Sequence, residues 1–172
     1  MDHTVRTATL SSPLGDLLLT ARDGALAEIA LMEATPECGR IGAPPASAGE
    51  AAGRPDALAQ ARRQLEAYFA GRLRSFDVPL SPRGTRFQLQ VWEALRAIPY
   101  GTTVSYSELA RRIGRPSAAR AVGGAVGQNP LAIVVPCHRV VGANGALTGF
   151  AWGVDCKRRL LELEAAFALT EM

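Results

Sequence analysis

Apolar positions recur with two different periods along this chain, and the period changes near its middle. In the first part, residues 5–10, 15–21 and 25–32 are short apolar-rich stretches separated by Ser-Pro and Asp-Gly punctuation. That spacing predicts a small antiparallel meander, with its clearest hairpin turn at Asp23-Gly24. Residues 42–54 show no periodicity and read as a surface loop. Over residues 56–70, Leu58, Ala61, Leu65 and Phe69 fall at helical spacing, which gives one apolar face able to cover the sheet. Residues 78–82, Val-Pro-Leu-Ser-Pro, read as the linker out of this unit.

From Thr85 the texture is helical. Phe87, Val91, Trp92, Leu95 and Ile98 form a stripe that ends at Pro99-Tyr-Gly101. Ser105 and Glu108 read as a capping box opening a second short helix, which Gly114 and Pro116 close; Ser117 can cap a third, running to Gln128. Two short helices across a tight Gly-containing turn have the form of a helix-turn-helix, although many such pairs never touch nucleic acid. The third helix carries Ala121, Gly123, Gly124, Ala125 and Gly127, and each mid-helix glycine costs roughly 0.5–1 kcal/mol against alanine. Either a bare face lets a nucleic acid groove approach, or the helix packs closely on another. After Asn129-Pro130, the apolar run 131–135 reads as a buried strand or core segment that delivers Pro136-Cys-His-Arg139. A last helix, which Asp155 can cap, runs through KRRLLELEAAFAL. The fold class is therefore α+β: a small antiparallel sheet with a covering helix over residues 1–80, then a mainly helical domain over 81–172 holding the helix-turn-helix and the cysteine.

Composition narrows the function. A chain of 172 residues with 48% hydrophobic content can bury a core. The first residues lack the segments of a signal peptide, and no apolar run approaches the roughly 20 residues of a bilayer span, so a cytoplasmic protein without membrane contact is expected. Cys38, Cys137 and Cys156 are too few and scattered for a disulfide framework, and with only His3 and His138 no zinc spacing exists. No metal and no cofactor are expected, and a special cysteine should be a nucleophile. Residues 1–80 carry 8 Arg against 10 acids, net −2, whereas residues 81–172 carry 10 Arg and one Lys against 6 acids, net +5. Between residues 109 and 154 there are five arginines (Arg111, Arg112, Arg115, Arg120, Arg139) and no acid, a footprint for a phosphate backbone or simply a solvated basic face.

The Cys137-His138 pair emerges at the end of the buried run. A structural cysteine beside an incidental histidine is the commoner meaning of such a pair, but Arg139 and the positive stretch would stabilise a thiolate. Glu164 sits on the apolar face of the last helix, three or four residues from Leu160, Leu161, Phe167 and Ala168. A carboxylate there either finds a buried partner or lies solvated at the helix border. A carboxylate that orients an imidazole beside a cysteine is the general logic of nucleophile activation.

The segment PCHRVVGANGALTGFAWGVDCKRRLLELE, with ARAVGGAVGQNP and IPYGTTVSYSELA before it, resembles the O6-alkylguanine-DNA alkyltransferases, also called methylated-DNA–protein-cysteine methyltransferases. The resemblance covers about residues 85–165; the N-terminal half agrees only in size and coarse pattern. It implies that Cys137 accepts the alkyl group irreversibly, with His138 drawing its proton through a water and Glu164 holding His138. It further implies that Asn129 stabilises the turn before the active-site segment, and that Tyr106 assists the leaving guanine by proton donation. Arg120 takes the flipped nucleotide's place in the stack, on a DNA-binding face with Ser117, Ala119, Ala121 and Gly123; Val140, Phe150, Ala151 and Trp152 wall the pocket. The implied partner is double-stranded DNA containing O6-alkylguanine, read from the minor groove with the base extruded, by a monomer. Relatives that bind damage without transfer lack the cysteine, and some bind zinc through an N-terminal set that this chain does not have. Trp152 stands where smaller residues are often found, so its bulk is expected to narrow the site against benzyl-sized groups. Cys156 is assigned a structural place and Cys38 none. Two rival functions are a helix-turn-helix regulator that senses damage without transfer and a Cys-His hydrolase. AARAVGGAVG offers base edges little beyond Arg120, which disfavours the regulator.

Overall fold

The computed structural model describes residues 4–32 and 56–169. The expected loop at 42–54, Cys38 and His3 lie outside the described residues. The chain divides into two compact units, Met1–Arg83 and Gly84–Met172.

In the first unit, β1 (Val5–Ser12), β2 (Gly15–Arg22) and β3 (Ala25–Leu31) form an antiparallel sheet in the order β1-β2-β3. The β2–β3 turn places Asp23 at φ 51° and Gly24 at φ 85°, the pair of left-handed residues that a two-residue hairpin turn requires. Alternation sets the faces: Leu17 pairs with Leu10 and Leu31, and Leu19 with Ala8 and Ile29, so Ala8, Leu10, Leu17, Leu19 and Ile29 all face inward and are buried. Helix α1 (Ala57–Phe69) packs on this face through Leu58, Ala61, Leu65 and Tyr68. Tyr68, and not the expected Phe69, completes the stripe, because the buried ridge advances by three residues after Leu65. Asp56 caps the helix by accepting from Leu58 N–H at 3.1 Å, and it pairs with Arg6 at 3.2 Å. The expected linker at 78–82 makes one bridge to β3. Leu26 N–H donates to the Pro79 carbonyl and Ser81 N–H to the Leu26 carbonyl, each at 2.8 Å. Pro79 and Pro82 lack N–H groups, which confines the pairing to a single bridge at Leu80.

The second unit begins with α2 (Arg86–Arg96), opened by a reciprocal capping box between Thr85 and Gln88. Its Val91, Trp92 and Leu95 are buried, and the Trp92 indole N–H donates to the Ala125 carbonyl at 2.8 Å. Helices α3 (Tyr106–Arg112) and α4 (Ala119–Gly127) pack on each other and on α2. Three expected caps differ from what forms. Ser105 caps α3, but the Glu108 carboxylate turns to Arg111 and Arg112. Ser117 does not cap α4, since the N-cap is the next residue, Ala118, which has no side-chain cap. The last helix, α5 (Val154–Ala168), has Gly153 at its N-cap with φ 95°; Asp155 lies inside the first turn, favourable to the helix dipole, and pairs with Arg158.

The run 131–135 is buried throughout but is a turn and not a strand: Val135 N–H donates to the Leu131 carbonyl at 2.8 Å, and Ile133 sits at φ 77°. A short parallel pair that the sequence did not signal, β4 (Val104–Ser105) with β5 (Val140–Val141), ties the entry of α3 to the exit of the cysteine segment. No helix of the described residues is long and apolar enough to cross a membrane.

Candidate active site

Asn129 leaves the end of α4 and turns inward. Its Nδ2 donates to the Val135 carbonyl at 2.8 Å, and its Oδ1 accepts from Leu131 N–H at 3.0 Å. One amide thus closes both ends of the buried turn, satisfying the Leu131 N–H and joining the Cys137 N–H, at 2.8 Å, on the Val135 carbonyl. This fixes where the next residues emerge. Cys137, His138 and Arg139 follow as a single 3₁₀ turn, all three buried.

Cys137 is 4% exposed. Burial pushes its thiol up to about 11, against a hydrogen bond from Asn129 and the charge of Lys157, which favour the thiolate. The resting sulfur is a neutral thiol at pH 7, and Arg139 is not what would ionise it. That expectation is corrected by geometry. Arg139 Nε reaches both oxygens of Glu164 at 3.1 and 3.0 Å, its Nη2 donates to Glu164 Oε1 at 2.7 Å, and its Nη1 donates to the Ile98 carbonyl at 2.7 Å. A buried guanidinium takes the nearest carboxylate, because an unpaired charge there is costly.

Glu164, fully buried on α5, therefore has its partners. It also accepts from His138 Nε2 at 2.8 Å and, at 3.4 Å, from the N–H of Gly101. Burial pushes its carboxyl up, but the hydrogen bonds from His138 and Arg139 outweigh this and hold it at about 2. An ionised carboxylate can only accept, so His138 carries its proton on Nε2. Burial, aided by the positive charges of Arg139 and Lys157, pulls His138 below its ordinary value despite Glu164, which keeps the ring neutral. His138 Nδ1 is buried without a hydrogen-bond partner. The arrangement presents a neutral imidazole with one lone pair unused, next in sequence to a shielded thiol.

Around this core, β4 leads directly into Tyr106, whose hydroxyl donates to the Thr148 carbonyl at 3.2 Å. The same carbonyl accepts from Lys157 Nζ at 2.7 Å, and that ammonium lies 5.9 Å from the centre of the Tyr106 ring. Of the expected wall, Val140 is fully buried, Phe150 and Trp152 are half-buried and in edge-to-face contact at 5.8 Å, and Ala151 is exposed. Lys157, which reasoning from sequence did not single out, is wholly buried beside the thiol. A signal for it was available, since it is the one lysine in a chain whose Lys and Arg total 19.

Helix α4 answers the question raised by its glycines. Side chains built on Gly124 or Gly127 would meet nothing within 4 Å, so packing inside the protein does not require them. Gly123 differs: a Cβ there would lie 3.6 Å from the Tyr106 ring, in ordinary contact. The face left open carries Arg120, Ala121, Gly124 and Gly127, all exposed, with Ser117 exposed just before it and Ala119 half-buried. Arg120 makes no ion pair among the described residues. Arg111 and Arg112 share Glu108, at 2.7 and 3.3 Å, and Arg115 lies over the Phe87 ring at 5.6 Å. With Arg139 turned inward, the basic surface of this stretch is four arginines and not five.

Residues 86–166 match the family model for the 6-O-methylguanine DNA methyltransferase DNA-binding domain, and residues 5–82 match that for the ribonuclease-like domain of the same proteins. A methylated-DNA–protein-cysteine methyltransferase of Mycobacterium tuberculosis is 49% identical over 164 residues, 95% of this chain and 94% of the relative. One of Methanosarcina acetivorans is 63% identical over 107 residues, 62% of this chain and 69% of the relative. Among solved structures, the M. tuberculosis O6-methylguanine methyltransferase superposes with TM-score 0.77 at 46% identity, covering 95% of this chain and 94% of that one. The M. tuberculosis protein in complex with DNA gives TM-score 0.77 at 48% identity over 92% of each chain. With both halves matched and a relative 49% identical along almost its full length, the chain belongs to the methylated-DNA–protein-cysteine methyltransferase family.

Proposed function

We propose that this chain repairs duplex DNA by taking the alkyl group from O6-alkylguanine onto Cys137 and keeping it there. The observation that carries the reading is the buried Cys137 beside a neutral His138 whose Nε2–H is committed to Glu164. In the transfer, a bond forms between Cys137 Sγ and the alkyl carbon as the bond from that carbon to O6 breaks, and its electrons pass to the purine. Because the thiol is neutral at rest, its proton must leave as the sulfur attacks. His138 Nδ1 receives it through a water, while Tyr106 donates a proton to the departing guanine. A thioether has no low-energy route back to a thiol, so each chain acts once.

The bare face of α4 is the side that enters the minor groove, with Arg120 filling the stack as the damaged base swings out. Phe150 and Trp152 receive that base. The open space at Gly124 supports a specific expectation. Gly124→Ala should raise the free energy of unfolding by about 0.5–1 kcal/mol, as it relieves a mid-helix glycine without a clash. It should also weaken duplex binding roughly fivefold, which corresponds to about 1 kcal/mol for holding the helix off the groove. Urea unfolding and fluorescence anisotropy read the two effects separately; a stabilised variant with undiminished affinity would remove the groove-facing role.

The direct test mixes the protein with an excess of duplex carrying one O6-methylguanine and follows intact and peptide mass. One methyl per chain, confined to the Cys137 peptide and reached in a burst that then stops, is the expected result. Tight binding without added mass would make the chain a damage-recognition protein, and continuing product release would make it a hydrolase.

A further inference from the structure

The reaction proposed above needs His138 to be neutral and to hold its lone pair on Nδ1, and two different residues could enforce this. Glu164 alone would not. A lone carboxylate 2.8 Å from an imidazole in a dry site draws a second proton onto the ring, and an imidazolium has no lone pair to offer a thiol. In this site the carboxylate is not alone.

We propose that Arg139 is a positioning residue for the transfer: it occupies both oxygens of Glu164, which leaves Glu164 able to orient His138 but not to draw a second proton onto it. The geometry is specific. The guanidinium is pinned by three of its groups, with Nε and Nη2 on Glu164 and Nη1 on the carbonyl of Ile98, two residues past α2. Its plane fixes the carboxylate, and the Tyr100 ring lies 5.5 Å from its centre. Glu164 Oε1 is then left pointing at His138 Nε2, which determines the tautomer, and the unpartnered Nδ1 is the base atom. An ammonium could supply the charge at this place, but it could not make the parallel contacts that set the carboxylate plane.

The other groups facing the pair act in the same direction or not at all. Lys157, also on α5, is positive and opposes protonation of His138, while Cys137 is a neutral thiol. The charged residues of α2 (Arg86, Glu93, Arg96) and the remaining ones of α5 (Asp155, Arg158, Arg159, Glu162) are all exposed, and β4 and β5 contribute none. Burial lowers the proton affinity of His138 first, and Arg139 and Lys157 lower it further. Taking Arg139 away therefore lets the His138–Glu164 pair accept a proton at higher pH. The pair, more than either member, is what titrates.

This inference rests on the transfer reading, and its test separates the two. Single-turnover methyl transfer is measured from pH 5 to 9 for the unaltered protein, Arg139→Gln and Arg139→Lys, with imidazole 15N shifts recorded for His138 in each. Only His3 must be distinguished from it. For Arg139→Gln, the acidic limb of the rate profile and the His138 titration should move up together by on the order of one pH unit. On the acidic limb, transfer at a given pH should slow by up to about tenfold, the limit that a one-unit shift sets, with duplex affinity unchanged. Arg139→Lys, which keeps the charge and the fold, should restore most of the titration but leave a slower plateau, because the carboxylate plane is no longer held. A profile and nitrogen shifts that stay at the unaltered protein's values in Arg139→Gln, or a plateau as fast as the unaltered protein's in Arg139→Lys, overturn the proposal. Failure of the unaltered protein to transfer at all would instead strike the reading beneath it, and the nitrogen shifts would still report on Arg139.

Discussion

Cys137→Ala should take up no methyl group from O6-methylguanine DNA while binding the same duplex within about twofold, a difference of roughly 0.4 kcal/mol. The reason is spatial as well as chemical. In the proposed transfer Sγ is the nucleophile, and the buried turn 131–135 with the Asn129 amide places it next in sequence to His138. The face of α4 and its Arg120 belong to another element. Alanine fits without a clash, and the small cavity it leaves costs about 1 kcal/mol, too little to unfold a domain of this size. Intact mass after incubation, with anisotropy on the same samples, reads both properties. A methyl group still gained by the variant would move the acceptor elsewhere, and a parallel loss of binding would mean that the sulfur supports the fold and not only the chemistry.

Glu164→Gln should be nearly as damaging, in two separable ways. Transfer should fall by about 10²-fold or more, since a neutral amide can present its NH₂ to His138 and no longer enforces the Nε2–H tautomer. The fold should also weaken by about 3–5 kcal/mol, because Arg139 would remain buried without its counter-charge. The second effect has a signature in pH. Glu164 ionises at about 2 in the folded chain against an ordinary 4.5. The unfolded chain therefore binds the proton more readily, and the carboxylate contributes stability that is complete above about 4.5 and is lost as pH falls toward 2. Urea midpoints measured across that window should show a steep acid dependence in the unaltered protein and a shallower one in the variant. Equal slopes would remove Glu164 as the source. DNA affinity near neutral pH should be kept in conditions where the variant is folded.

These expectations also show what the sequence could and could not convey. Strand alternation in the first unit and the Asp23-Gly24 turn were readable because both are local: side chains two residues apart share a face, and a glycine marks a left-handed turn. The helix-turn-helix was readable for the same reason. Caps were less legible, since Ser117 and Asp155 are good capping residues that sit one or two positions inside or outside the true helix start. The run 131–135 has the composition of a strand, and its hydrophobic pattern does not announce the turn that the Asn129 amide and the Val135–Leu131 backbone bond close. At the active site, the Cys-His-Glu logic and the need for a partner at Glu164 could be argued from spacing and burial. The partner of Arg139 could not. A cationic neighbour of a cysteine implies a thiolate, and nothing local announces that the guanidinium points instead across the domain to α5. Lys157 was hidden in the same way, as its proximity to Cys137 arises from folding across a 20-residue separation.

That lysine has a practical meaning for anyone handling the protein. It is the sole lysine in the chain, and it is buried with its Nζ on the Thr148 carbonyl. Acylating reagents therefore find no lysine side chain on the folded surface, and neither does any enzyme that marks proteins through that amine. Labelling at Lys157 becomes a clock for opening of the segment around Thr148, and tagging the chain through its lysine requires that this segment come apart first.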